Sequence, residues 1–214
     1  MALLDKKKIG AAVKAALDAS KGKRKFTQSV DLAINFQDVD FKSPEARISV
    51  DVVLPHQARE VKVAVFADGQ AGLEAKKVAD MVYSTEDITN FAADKKKQKE
   101  LMNYSFLATP QLMAVVGKNL GQFLGARGRL PKPLPPNANA ANMVEQIRRQ
   151  ITLKSKGKYL PVLHAPVGRE NMKEEDIAEN VVAVLEAILK KTTESNIASV
   201  YVKTTMGAPV KIAA

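Results

Sequence analysis

The sequence predicts a mixed α/β chain of two domains, an α+β domain built from both ends of the chain and an α/β domain inserted between them. Two observations predict it. Strands near both ends alternate apolar and polar residues, the mark of a sheet with one face buried. The middle instead carries a nearly continuous apolar strand followed by strands and helices in alternation, the mark of a parallel sheet covered on both faces.

Residues 2–19 read as an amphipathic helix. Ile9, Val13 and Leu17 recur every four residues with Ala12 and Ala16 beside them, while Lys7, Lys14 and Asp18 lie opposite. A basic run, Lys21 to Lys25, breaks that pattern. From Gln28 to Phe36 the period becomes two, with Val30, Leu32, Ile34 and Phe36 on one side and Ser29, Asp31, Ala33 and Asn35 on the other. Pro44 marks a turn, and Arg47 to Leu54 alternates again through Ile48, Val50 and Val52.

After Pro55 the grammar changes. Val61 to Ala67 is interrupted only by Lys62, Asp68-Gly69 ends it, and Leu73 to Tyr83 is helical by pattern. Lys95 to Lys99 reads as a solvated helix face. A strand over Tyr104 to Ala108 and a helix from Pro110 to about Leu124 follow. Gly125 to Pro136 holds four prolines and two glycines, which excludes a regular element there. Ala140 to Arg149 reads as a helix, and 151–153 and 159–164 as strands around a Lys-Ser-Lys-Gly turn. Asn171 is placed to cap a long helix with Ile177, Val181, Val184, Leu185 and Ile188 as its buried stripe. Glu174, Glu175 and Asp176 at its start and Lys190 and Lys191 at its end suit the helix dipole. A strand over Ile197 to Lys203 closes the series. The domains are therefore expected to be 1–55 with 150–214, and 56–149.

The 214 residues are 46% hydrophobic and 26% charged, enough for a substantial core. With no cysteine there are no disulfides or thiolate metal sites, and two distant histidines, His56 and His164, make a side-chain zinc site unexpected. No stretch approaches the ~18 apolar residues of a membrane span. Lys6-Lys7-Lys8 is followed by no apolar run of signal-peptide length, so neither membrane nor export is expected. The net charge of +10 favours a polyanionic partner. It is spread as +3, +5 and +2 over 1–55, 56–149 and 150–214 (10 cations against 7 anions, 14 against 9, 9 against 7), so no segment is a basic tail.

Catalytic signatures are weak. Asp68-Gly69-Gln70-Ala71-Gly72 sits where a dinucleotide-binding loop would but lacks the G-x-G-x-x-G spacing. Gly117-Lys118-Asn119 is no phosphate-binding loop. His164 beside Pro166 reads as a packed or surface residue, His56 as part of a hinge or linker, and the acids from Glu170 to Glu179 as a charged helix start. No catalytic residue, metal or cofactor is expected.

Two segments suit RNA. In Lys23-Arg24-Lys25-Phe26-Thr27-Gln28-Ser29-Val30-Asp31, cations flank an aromatic and outward hydroxyl, amide and carboxylate groups follow. Cations hold phosphates, an aromatic stacks on a base, and polar groups bond a 2′-hydroxyl. The same residues also suit a buried Phe26 in a solvated basic loop, and both readings stay open. Lys203-Thr204-Thr205-Met206-Gly207-Ala208-Pro209 offers hydroxyls, an adaptable methionine and a glycine for close approach. Taken by itself, it is better read as an ordinary strand end and turn.

Four ordered motifs resemble the L-one family of large-subunit ribosomal proteins. They are Lys25 to Leu32, Leu124 to Pro133, His164-Ala165-Pro166-Val167-Gly168, and Lys203 to Gly207. Leu134-Pro135-Pro136-Asn137 looks archaeal. The resemblance spans essentially the whole chain and implies a discontinuous terminal domain with a Rossmann-like α/β domain inserted through a hinge. It implies a non-enzymatic, cytoplasmic ribosomal protein, a monomer when free. Its partners would be large-subunit ribosomal RNA at the mobile stalk, transfer RNA leaving the neighbouring exit site, and its own messenger RNA, which it would repress. The implied RNA surface uses Phe26, Gln28, Ser29 and Asp31 with Ser199, Thr204, Thr205, Met206 and Gly207, and Lys25 as a phosphate contact. Gln28 and Ser29 stand where bacterial relatives often carry glutamate and threonine. The alternative is a nucleotide- or small-molecule-binding α/β protein using the inserted domain. A general DNA-binding protein lacks any helix-turn-helix or zinc signature here.

Overall fold

The structure, a computed structural model, describes residues 5–22, 24–39, 41, 47–135, 140–155 and 160–212, without the side chains of 93 and 95–97. Several expectations fall outside those residues: the helix start before Asp5, Lys23, the turn at Pro44, Pro136-Asn137, the turn after Ser155 with Tyr159, and the exposure of Lys95 to Lys97. The chain forms two compact units, residues 1–59 with 149–214, and residues 60–148. The fold class is α/β, with antiparallel sheets in the first unit and a parallel sheet in the second.

Helix α1 (Lys6–Ser20) starts at Asp5, whose carboxylate accepts from the Lys7 amide at 3.1 Å. It buries Ile9, Ala12, Val13, Ala16 and Leu17. Strand β1 (Ser29–Phe36) and strand β2 (Ser49–Val53) follow. Leaving β2, the chain is held to unit 1 at His56. Asn180 accepts from the His56 amide and donates to the carbonyls of His56 and Val167, while the His56 imidazole lies 3.0 Å from Glu179.

Unit 2 opens with β3 (Lys62–Phe66) and α2 (Gly69–Ala75), then β4 (Met81–Tyr83). The expected helix over 73–83 is thus corrected: it ends at Ala75, and the apolar trio 81–83 pairs in parallel with Ala64 to Phe66. Helix α3 (Thr85–Ala93), absent from the expectation, starts at a capping box of Ser84 and Asp87. Helix α4 (Lys95–Glu100), β5 (Tyr104–Ala108) and α5 (Pro110–Gly125) come next. The Pro-rich stretch holds one short regular element after all, β6 (Lys132–Pro133), paired with Leu107 and Ala108 at the sheet edge. A proline is tolerated there because an edge residue can spare its amide. Helix α6 (Ala140–Arg149) completes the unit.

The sheet order is β4-β3-β5-β6, all parallel. One face packs on α3 and α5 through Phe66, Phe106, Ile88, Leu112, Val116 and Leu120. The other meets α2 and α6 through Val63, Val65, Leu107, Ala75, Val144 and Ile147. Two covered faces explain the continuous apolar run of β3.

The chain returns to unit 1 in β7 (Gln150–Lys154), which pairs antiparallel with β2. Strand β8 (Val162–Arg169) runs beyond its expected end at His164 and through Pro166, where the register with β1 shifts. Helix α7 (Glu174–Leu189) buries the expected stripe together with Asn180. Its start is a second correction. Lys173 holds the N-cap position and Asn171 stands in a turn closed by the Met172 amide on Arg169 O. Lys190 and Lys191 lie just past the helix end. Gly168 lets α7 approach β8, since a Cβ there would sit 2.8 Å from Ile177 Cγ1. Strands β9 (Ile197–Thr204) and β10 (Val210–Ile212) finish the chain, β10 being unforeseen. The sheet β10-β9-β1-β8 buries Val30, Leu32, Ile34, Val200 and Val202 against α1 and α7 and leaves its other face open.

Candidate nucleic-acid interface

Antiparallel pairing of β1 with β9 sets Val30 opposite Thr204, Asp31 opposite Lys203 and Asn35 opposite Ser199. Beyond the paired ends the two segments stay tied. The Thr205 amide donates to Ser29 O at 3.0 Å, and the Ser29 amide to Thr205 Oγ1 at 3.2 Å. The Met206 amide donates to Gln28 Oε1 at 3.0 Å. The Gly207 amide returns to Thr204 O, closing a four-residue turn. A third segment clamps the base of the site: the Glu170 amide donates to Gln28 O, and the Gln28 amide to Glu170 Oε2.

The expected site residues divide into three groups. Ser29, Thr205 and Met206 meet at the turn and are exposed, as are Lys25 and Phe26 in the segment that leads into β1, Phe26 by 53% and Met206 by 58%. Gly207 is half-buried there. Gln28 and Thr204 lie beneath, 1% and 0% exposed. They shape the turn rather than present their side chains on its surface. Thr204 Oγ1 is buried with no hydrogen-bond partner among the described residues, and a Cβ on Gly207 would collide with it. Only glycine closes the turn over that threonine.

Asp31 and Ser199 make the third group, on the open sheet face. Asp31 lies next to the turn. Ser199 is six strand residues from Thr205, about 20 Å along β9, and accepts from Asn35 Nδ2 at 2.9 Å. Burial pushes the Asp31 carboxyl above its ordinary 3.8, against the opposing pull of Lys203 and His164. Its charge is therefore costly where it stands.

Glu170 and Ser20 border the site without having been foreseen, whereas Arg24 and Ala208 belong to the two candidate segments. Glu170 is 142 residues from Gln28 in sequence, and its local context is that of a charged helix start. No periodicity links the two.

In unit 2, the groups of the loop after β3 and of the Pro-rich stretch make contacts within the unit. Asp68 accepts from the amide and hydroxyl of Thr85 and so secures the start of α3. The Arg127 guanidinium lies 4.2 Å over the Phe123 ring, and Arg129 donates to Tyr104 O at 3.1 Å. Among the described residues no group of three or more His, Asp or Glu could hold a metal, and no helix is long and apolar enough to cross a membrane.

Comparison with known proteins gives a consistent result. Residues 14–208 match the family model described as Ribosomal protein L1p/L10e family. The large ribosomal subunit protein uL1 of Thermofilum pendens is 43% identical over 206 residues, 94% of this chain and 91% of that protein. The protein of the same name from Pyrococcus abyssi is 42% identical over 214 residues, 97% and 96% of the two chains. That of Thermoplasma acidophilum is 41% identical over 210 residues, 94% and 96%.

Proposed function

The chain belongs to the ribosomal protein L1p/L10e family, a non-enzymatic family of the large ribosomal subunit, and from that premise we propose that it binds large-subunit ribosomal RNA through the turn 204–207 and the segment 25–31. The juxtaposition that carries the proposal is Gln28 and Ser29 beside Thr205 and Met206, 176 residues apart for Ser29 and Thr205, which three hydrogen bonds join, with exposed Phe26 two residues ahead of Gln28. Two exposed apolar side chains can cover a base or ribose face. The Thr205 hydroxyl, already oriented by the Ser29 backbone, and the exposed Ser29 hydroxyl can meet 2′-hydroxyls. Lys25, exposed ahead of β1, supplies a phosphate contact, and the net charge of +10 attracts RNA from a distance.

On this reading the protein sits at the mobile stalk of a cytoplasmic ribosome, beside the exit site, and assists release of deacylated transfer RNA. The same turn represses its own messenger RNA, because one preorganised surface serves any RNA that copies the shape of the stalk junction. A transcript of the stalk region tests this. Met206→Asp places a charge against RNA and should weaken binding by about 1–3 kcal/mol or more, whereas exposed Lys118→Ala on α5 should change it little. Equal affinity of Met206→Asp and wild type sinks the surface assignment. Competition between the stalk transcript and the protein's own messenger leader tests the shared surface: simultaneous binding of both excludes it.

A further inference from the structure

Beside the turn, where the last turn of α1 comes close, is a cavity of about 460 Å³. Ala19 and Ser20 of α1, Arg24 and Gln28 ahead of β1, and Met206, Gly207 and Ala208 line it. Gln28 is the informative residue. The residue is 1% exposed, and Oε1 is engaged by the Met206 amide. That bond assigns the amide orientation and leaves Nε2 as a donor with no acceptor among the described residues. Gln28 lines the cavity, so that donor is open to a molecule that enters it. Arg24 adds a second donor and has no ion pair among the described residues. Ser20 Oγ gives its proton to Leu17 O at 3.0 Å and keeps lone pairs for an incoming donor. The remaining wall is small or adaptable: Ala19, Gly207, Ala208 and the Met206 thioether.

A fitting ligand has an anionic group for Arg24, a polar edge with an acceptor for Gln28, and a flat face for methionine and the small residues. Those are the parts of a nucleotide, and the volume lies in the ~300–1,000 Å³ range of small-ligand sites. We propose that this cavity receives one unstacked nucleotide of the RNA bound across the turn, its phosphate at Arg24 and its base edge at Gln28 Nε2. The proposal rests on the RNA-binding reading above and adds to it. The exposed turn recognises shape and ribose, whereas the cavity examines a single base turned out of the helix.

The full chain and a stalk-region transcript test this by equilibrium binding. Ala19→Phe and Ala208→Phe, both at exposed positions in the lining, fill the cavity from α1 and from the segment after the turn. Their melting temperatures report folding, and Arg24→Gln supplies a third variant if either fails to fold. Each filling variant is expected to lose roughly tenfold in affinity, the scale of one lost base contact. In a scan of abasic transcripts, one position should weaken wild type by a similar factor yet cost the filled variants nothing more. Wild-type affinity in the filled variants, with Met206→Asp still defective, overturns the cavity and leaves the surface intact. An abasic penalty equally large in filled and wild-type proteins at every position overturns it too. Should Met206→Asp bind as well as wild type, the underlying RNA reading falls along with it.

Discussion

At the scale of single residues, the turn is built by side chains it hides. Thr204 Oγ1 sits under Gly207 with no partner among the described residues, so its hydroxyl contributes desolvation cost and no bond to them. Thr204→Val keeps the shape and removes that cost. The variant should melt no lower than wild type and should bind the stalk transcript equally well; a tenfold loss of affinity on folded protein would mean that RNA reaches the hydroxyl directly. Asp31 gives a prediction with a definite sign. Its folded carboxyl is raised above 3.8, so the folded state holds that proton more tightly than the unfolded chain. Ionisation therefore costs stability: the cost is absent below the ordinary value and complete above the raised one. Asp31→Asn should raise the melting temperature near pH 7 and leave it unchanged near about pH 3. A variant that melts lower at neutral pH would show that its attraction to Lys203 and His164 outweighs its burial.

At the scale of elements, Asp80 joins three parts of unit 2. Its carboxylate accepts from the Val63 amide at the head of β3 at 2.7 Å and from Arg148 of α6 at 3.2 Å, just ahead of β4. Burial pushes this carboxyl up, but the Val63 and Arg148 hydrogen bonds outweigh it and hold it below 3.8. The stability it contributes is present above 3.8 and disappears as pH falls through the lowered value. Asp80→Asn should accordingly lower the melting temperature at neutral pH, with the gap closing in acid. A gap independent of pH would point to packing instead of charge. This connection also explains what was hard to see in sequence. Residues 73–83 carry apolar groups at spacings that suit a helix, but Met81 to Tyr83 become a strand because β3 offers them a parallel edge. Strand β10 is likewise three residues long and exists by pairing with β9. By contrast β1, β5, α5, α6 and the stripe of α7 were legible, since each is long enough for its own periodicity to show. Helix α3 had a local signal, Ser84 three residues before Asp87, that the charge-rich surroundings obscured.

At the scale of the molecule, the chain leaves unit 1 after β2 and re-enters at β7, and these strands pair with Val53 opposite Gln150. Exit and re-entry are therefore neighbours, closed further by the Leu54 amide on Arg149 O at 3.0 Å. Joining Arg59 to Arg149 with a short Gly-Ser linker should leave unit 1 folded, because its core contains no residue of 60–148. If unit 1 alone carries the RNA surface, its affinity for the stalk transcript should stay within about tenfold of the full chain at equal salt. A much larger loss would assign RNA contacts to unit 2.

The sequence by itself determined the periodicities, the change of grammar after Pro55 and the cationic excess, because these are written in neighbouring residues. Its four motifs were enough to place the chain among its relatives. Only the tertiary structure decided that Gln28 and Ser29 meet Thr205 and Met206, that Glu170 clamps them, and that Gln28 and Thr204 point inward while Phe26 and Met206 point out. The physical reason is distance along the chain. A strand's own alternation says which residues share a face, but pairing across more than 140 intervening residues fixes which strand lies alongside and which side chains are buried beneath the turn.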